Sequence, residues 1–325
     1  MRLRVFILGG TGFTGPHVVR RLADAGCEIT LLHRGETQAD LPGGVRELSG
    51  TRCRLEDHAA AIGTPDLFID MIPYRRDEAR ATAAWIEPRA KRVLALSSAD
   101  VYLSYGRLWG TEPGDPVPVP HAEDAPLRAK LSASGEAYDK TGVEEEYARI
   151  GATILRLPGI YGPRDRQHRL HSYLQRMDDG RPSIVLSAES AGFRFARAYV
   201  EDVAHAIALA ALAPRARGRC YNVSEPATLT EREWIAAIAA AAGWDGTVVE
   251  VPGGDLPEPL RPKVDYRHDL VLDTTRIRDE LGYAETMPPS EALRRTVAWE
   301  RAHPPDPLPE TNYDLEDEVL SRRSG

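Results

Sequence analysis

Aromatic residues are scarce, 7% of the 325 residues with only five phenylalanines, and cysteine is scarcer, three in all. Cys27, Cys53 and Cys220 have neither the even count of a disulfide framework nor the spacing of a zinc site. A reducing compartment and no metal are therefore expected. No apolar run approaches the roughly 18 residues of a membrane span; residues 206–213 and 235–242 are short and alanine-rich. The apolar stretch 5–8, behind Arg2 and Arg4, runs straight into glycine and is too short for a secretion signal. A cytoplasmic protein without membrane contact is the expectation. An excess of positive charge is missing too. Lys and Arg number 41 against 49 Asp and Glu, a net charge of −8, which disfavours binding to a phosphate backbone.

What is present is an alternation of apolar strands with helical stretches. Residues 4–8 read Arg-Val-Phe-Ile-Leu, continuous rather than alternating, as in a parallel strand buried on both faces. Pro16 suits the first turn of a helix carrying Val18, Val19 and Leu22, and Gly26 ends it. A second strand, 29–32, completes one β-α-β unit. Further strands are predicted at 67–71, 93–97 and 153–157, with helices at 77–86 and about 135–150. The fold class is α/β, with a parallel sheet covered on both faces. The segment 103–134 holds Pro113, Pro116, Pro118, Pro120 and Pro126 and is too long for an idle connection. It reads as a wall or lid of a site. Beyond it, helices are predicted at 199–212, at 231–242 with Thr230 and Glu233 as a capping box, at 275–281 and at 290–302. A proline-rich, acidic tail, 304–325, is expected to be extended.

Glycines 9, 12 and 15 stand in Gly9-Gly10-Thr11-Gly12-Phe13-Thr14-Gly15, between that first strand and the first helix. Gly9 permits the tight turn, Gly12 lets the backbone approach a pyrophosphate, and Gly15 permits close packing of the helix. The helix start supplies free N–H donors for an anion. This is a dinucleotide site, with Gly9, Thr11, Gly12, Phe13, Thr14 and Gly15 around the phosphates. The second strand ends in His33-Arg34-Gly35, where an acid would bind the ribose hydroxyls of NAD. Arg34 suits a 2′-phosphate, so NADP is expected, with NAD as the alternative through Glu36.

The same turn resembles the opening of the extended short-chain dehydrogenases, the NAD-dependent epimerase/dehydratase family. Leu96-Ser97-Ser98-Ala99-Asp100-Val101-Tyr102 is similar to the family's strand bearing its catalytic Ser or Thr. Arg156-Leu157-Pro158-Gly159-Ile160-Tyr161-Gly162-Pro163 is similar to its Arg-x-x-x-x-Tyr-Gly-Pro segment, and Tyr199-Val200-Glu201-Asp202-Val203-Ala204 to its later strand-to-helix motif. Tyr221-Asn222-Val223 and Asp273-Thr274-Thr275-Arg276-Ile277 fit the C-terminal portion. Within the family the chain resembles a bacterial group related to plant chloroplast stem-loop RNA-binding proteins. The resemblance implies a Rossmann doubly wound sheet with a smaller C-terminal substrate-binding domain. Residues 1–162 would bind the dinucleotide, with 195–224 returning to that unit. Residues 163–194 and 225–303 would bind substrate. It also implies a homodimer by analogy, a nucleotide sugar or related polar carbonyl as substrate, and Ser98 bonded to the reacting oxygen. The stretch 164–171 would face the substrate, with Tyr161, Arg164, Arg166 and Arg169 as its contacts.

One departure concerns the general acid/base. The family places a tyrosine four residues before a lysine, on one helical face. Here Tyr138 and Lys140 are two apart and would point nearly opposite ways on a regular helix. Either an irregular helix start brings them together, or Lys140 keeps its place and Glu136, Tyr102 or Asp100 moves the proton, or redox chemistry is absent. The interval from Lys140 to Glu144 matches the family and favours the second reading. Asp100 sits where some dehydratases carry an acid for a leaving hydroxyl. Thr51 stands where the family usually has an adenine-binding Asp. A non-catalytic NADP sensor is the alternative to an enzyme, and RNA binding, implied only by the plant proteins, runs against the charge.

Overall fold

The computed structural model describes residues 2–132 and 134–323. Its first six strands are β1 (Arg4–Leu8), β2 (Glu28–His33), β3 (Arg46–Ser49), β4 (Leu67–Asp70), β5 (Arg92–Ser98) and β6 (Thr153–Leu157). Two short strands, β7 (Gly159–Tyr161) and β9 (Arg197–Tyr199), pair with each other, as do β8 (Ser183–Ser187) and β11 (Thr247–Val251); β10 (Cys220–Asn222) returns to the edge of the main sheet. That sheet is wholly parallel, in the order β10-β6-β5-β4-β1-β2-β3.

The burial of β1 explains its unbroken apolar sequence. Val5 and Ile7 face one core, against the helices Gly15–Asp24 and Val200–Leu212. Phe6 and Leu8 face another, against Arg76–Ile86 and Lys140–Arg149. Two helix layers therefore cover the sheet, and every side chain of the strand past Arg4 leaves water. β3 went unread because Arg-Glu-Leu-Ser looks like surface; it is the exposed edge strand, where charge discourages further pairing. The strand order reverses between β1 and β4, so a crevice opens there at the carboxyl ends of the strands.

A second core lies beyond the sheet. The helices His171–Asp178, Glu231–Ala242 and Pro289–Ala302 pack Leu174, Ile235, Ile238, Leu293 and Val297 beside Ile184 of β8. Thr230 caps the middle helix, with Glu233 reaching back to the Thr230 amide at 2.8 Å. Tyr161 belongs to this core. It is 1% exposed, edge-on to Trp234, and donates to Glu225 at 2.7 Å, so it is not a substrate contact.

The tail corrects the expectation of an extended segment. Its prolines confine that conformation to the first part, and Tyr313–Arg323 is a helix. Asp314 and Glu316 lie in its first turn and Arg322 and Arg323 in its last, the arrangement its dipole favours. Val319 is buried with Val251 and Leu256, and Glu316 pairs with Arg176 at 2.5 Å.

A buried ionic knot ties the main sheet to its surroundings. Arg156 of β6 grips both oxygens of Glu144 at 2.9 and 2.7 Å. Its Nη1 donates to the Tyr102 hydroxyl at 3.0 Å and to the Glu123 carbonyl at 2.7 Å. The Tyr102 hydroxyl donates in turn to Asn222 of β10 at 2.7 Å. Tyr102, wholly buried and stacked on His121, is thus a structural residue and not a proton carrier.

Candidate active site

The glycine turn has the geometry its spacing implies. Gly9 and Gly10 both lie at φ +95°, which a side chain rarely tolerates. A Cβ on Gly15 would fall 2.3 Å from the backbone carbon and oxygen of Gly10, so helix and turn are in direct contact there. A Cβ on Gly12 would meet nothing within 4 Å: the protein leaves that approach open. Thr11 is buried, Phe13 leans on the second core, and Thr14 precedes the helix. These features fit a dinucleotide whose pyrophosphate lies against Gly12 and the helix start. Gly15→Ala is expected to destabilise the fold by about 1–3 kcal/mol through overpacking. Gly12→Ala should melt like the parent but bind cofactor at least about tenfold more weakly, because it blocks only the approach of the ligand. Thermal unfolding and calorimetric titration separate the two; equal cofactor affinity in Gly12→Ala would remove the pyrophosphate from this turn.

At the end of β2, His33 pairs with Glu47 at 2.9 Å, and Arg34, well exposed, with Glu36 at 2.7 Å. Arg164 and Arg166 stand near this loop rather than on the substrate side. Arg164, at φ +74°, donates to the Gln38 carbonyl at 3.1 Å, and Arg166 to the Thr37 hydroxyl at 2.9 Å. Arg52, beside the departure at Thr51, turns inward and holds both oxygens of buried Asp70 at 2.8 Å.

The predicted single helix at 135–150 is broken, and the break matters. Gly135–Tyr138 forms a 3₁₀ turn; Asp139 then caps a new helix, accepting from the Gly142 amide at 2.9 Å, and Lys140 is its first residue. Tyr138 and Lys140 are therefore not subject to the geometry of one helix. The Lys140 ammonium lies 5.6 Å from the centre of the Tyr138 ring and 4.8 Å from that of Tyr74. It donates to the Pro73 carbonyl at 2.8 Å and the Leu96 carbonyl at 3.4 Å. Burial pushes its pKa down to about 8, partly offset by Asp100 and Asp70.

Ser98, Asp100 and Tyr138 line one cavity of about 540 Å³. Ser98 ends β5, and its hydroxyl accepts from the Asp100 amide at 3.4 Å. Burial raises the carboxyl of Asp100, against the pull of Tyr138, Arg128 and Lys140. Burial and then the charge of Asp100 push the Tyr138 phenol well above its usual value. At neutral pH Tyr138 therefore holds its proton. Glu136 is exposed and lines a different groove, with Arg75 and Arg76. The segment 103–134 does form a wall of the cavity, through Tyr105, Trp109, Thr111, Arg128 and Ser132. Of the three arginines predicted for substrate, only Arg169 lines it, beside Gln167. Phe195 and Arg128 were not foreseen: neither belongs to a periodic pattern or a motif.

Among the described residues no helix is long and apolar enough to cross a membrane. Over 186 residues the chain is 28% identical to dTDP-glucose 4,6-dehydratase of Streptomyces griseus, a match spanning 56% of this chain and about half, 53%, of that protein. It is 26% identical over 302 residues to 2′-dehydrokanamycin reductase of Streptomyces kanamyceticus, covering 89% of this chain and 80% of that one. The fold matches that of the Bordetella bronchiseptica enzyme WbmG in complex with NAD and UDP, with a TM-score of 0.70 and 19% identity over 93% of this chain and 96% of that one. The model of the NAD dependent epimerase/dehydratase family matches residues 5–72 and 78–224, more than half of the sequence, and the chain belongs to that family.

Proposed function

We propose that the chain is an NADP-dependent enzyme acting at a hydroxyl-bearing or carbonyl carbon of a nucleotide sugar or a related polar substrate, as a reductase, epimerase or dehydratase. The observation that carries this reading is the meeting of Ser98 and Tyr138 on one cavity wall, with the Lys140 ammonium against the tyrosine ring. Bound in the crevice, the cofactor would supply or accept a hydride. The chain's own residues do the rest. Ser98 and Tyr138 hold the reacting oxygen; Tyr138 gives its proton as that oxygen becomes an alkoxide, and takes one back in the reverse direction. Lys140 favours the phenolate by its charge. Asp100, kept towards its neutral form by burial, can protonate a departing hydroxyl. Tyr105 and Trp109 wall the cavity. The dehydratase and reductase activities carried in the names of the relatives support the substrate class.

The reading includes a cytoplasmic homodimer in which residues 163–194 and 225–303 shape the substrate site; the free cysteines fit a reducing compartment. NADP is favoured because Arg34, Arg164 and Arg166 all stand at the loop after β2. Arg34→Ala should weaken NADP binding roughly tenfold, the loss of one charge-assisted hydrogen bond, and leave NAD within about twofold. A parallel loss for both cofactors, measured by calorimetry, would move the 2′-phosphate elsewhere. The function itself is tested by incubating the purified chain with NADP(H) or NAD(H) and a panel of nucleotide sugars. Turnover that disappears in Ser98→Ala is expected. Cofactor binding without turnover, and an unaltered Ser98→Ala, would leave a cofactor-binding sensor in its place.

A further inference from the structure

The proline-rich segment brings a guanidinium to the cavity that the chemistry above does not use. Arg128 is 3% exposed. Its amide donates to the Val101 carbonyl at 2.8 Å, its Nε to the Asp100 carbonyl at 2.8 Å and its Nη1 to the Lys130 carbonyl at 2.9 Å. Two side-chain bonds and one backbone bond thus hold the residue, and the Nε bond fixes the guanidinium beside Asp100 in the turn that follows β5. Its Nη2, although buried, has no partner among the described residues. Asp100 Oδ1 and Ser132 Oγ, on the same cavity wall, are buried and unpartnered as well. A buried polar atom without a partner costs about 1–3 kcal/mol, and more when charged. Such atoms clustered on one cavity mark the place where a polar ligand group completes the set.

The charges on the cavity wall indicate the kind of group. Arg128 and Arg169 are its cations, and Arg169 is shared with Asp165 at 2.7 Å. Asp100 is its one carboxyl, and Asp100 makes no bond to Nη2. Glu112 of the same segment accepts from the Ala129 amide at 3.1 Å and does not line the cavity. Among the described residues that line the cavity, Arg128 is therefore the guanidinium that makes no ion pair with a carboxylate; Asp100 acts on it through charge alone. It is tied to Asp100, two residues from Ser98, and so stands next to the place of reaction and not at a distant end of the substrate. Tyr105, Trp109 and Phe195 offer ring faces beside it.

The geometry points to a substrate bearing an oxyanion, a carboxylate, beside the reacting carbon, held by Arg128. This rests on the enzymatic reading above and narrows it from polar substrates in general to acidic ones. Arg128 acts as a specificity residue: it orients the acid so that the neighbouring hydroxyl or carbonyl meets Ser98 and Tyr138.

The test compares UDP-glucuronate with UDP-glucose, which differ in a carboxylate against a hydroxymethyl group, by calorimetry on the NADP-saturated chain. The acid should bind at least about tenfold tighter, and Arg128→Gln should reduce that preference to within about twofold while cofactor affinity and Tm hold. Arg128→Lys, which keeps the charge, should retain part of the preference and covers the case in which Arg128→Gln fails to fold. Equal affinities in the parent overturn the inference, as does a preference untouched in Arg128→Gln. So does an equal loss for both ligands, which would put the diphosphate on Arg128. If neither nucleotide binds, glucuronate and glucose are compared directly. Binding of the acid alone then keeps the inference and removes the nucleotide reading; no preference overturns the inference.

Discussion

Tyr138→Phe is expected to lower kcat by about 10²–10⁴-fold on any substrate the chain turns over, with little change in fold, since only a hydroxyl at the cavity wall is lost. The reason is the division of labour around one oxygen. Ser98 supplies a hydrogen bond, but no proton at neutral pH. In the proposed mechanism Tyr138 is the group that exchanges a proton with this oxygen, with a cation behind it. The same arrangement predicts a pH profile. Lys140 is charged below about 8 and loses its charge as the pH rises through that value. The stabilisation of the phenolate fades with it, so kcat/KM should fall on the alkaline side near pH 8, and Lys140→Met should abolish that limb. The effect on stability has the opposite sign. Once unfolded, the lysine keeps its proton to its ordinary value of 10.5, so between about 8 and 10.5 the unfolded chain binds more protons and stability rises with pH. A Tyr138→Phe enzyme within threefold of the parent would take the phenol out of the chemistry.

Glu144→Gln should cost about 3–5 kcal/mol of stability, the largest expected loss from a single change outside the cavity. Burial works against the charge of Arg156, and chiefly the hydrogen bonds and charge of Glu144, with smaller help from Cys220 and Tyr102, outweigh it and raise its pKa. Glu144 is 8% exposed and Arg156 5%, so neither finds water when its partner goes. Removing the carboxylate leaves a buried cation shared with Tyr102 and the Glu123 carbonyl, neither of which carries a full charge to it. Removing both, as Glu144→Gln with Arg156→Met, should recover much of the loss, because the stranded charge goes as well. The comparison is made by thermal unfolding at one pH. A single variant that melts with the parent would show that the pair contributes nothing.

These two cases show what the sequence made legible. The strands that carry Ser98 and Arg156 were visible because parallel strands covered on both faces must be continuously apolar, a rule that residues 4–8 also follow. The glycine turn was visible because its spacing answers a backbone requirement, seen in the positive φ of Gly9 and the contact of Gly15 with Gly10. The meeting of Tyr138 with Lys140 was harder to see. It depends on where one helix starts, and the signal was Asp139, a capping residue three positions before Gly142. The interval from Lys140 to Glu144 favoured Glu136, Tyr102 or Asp100 over Tyr138, and of these Glu136 faces another groove. Arg128 had no signal: in a proline-rich stretch no period says which way a side chain points. Arg164 and Arg166 were placed with the substrate from their position after Pro163, but a left-handed backbone at Arg164 turns the chain towards the loop after β2.

The late return of β10 sets a timetable for synthesis. A nascent chain that has emerged only as far as residue 160 can pair β1 to β6, but the outer edge of β6 then shows unpaired amides and carbonyls until residues 220–222 leave the ribosome. That interval, some sixty residues of elongation, is the period in which this chain is most exposed to pairing with a neighbour, and slowing translation between β6 and β10 should raise the share lost to aggregates.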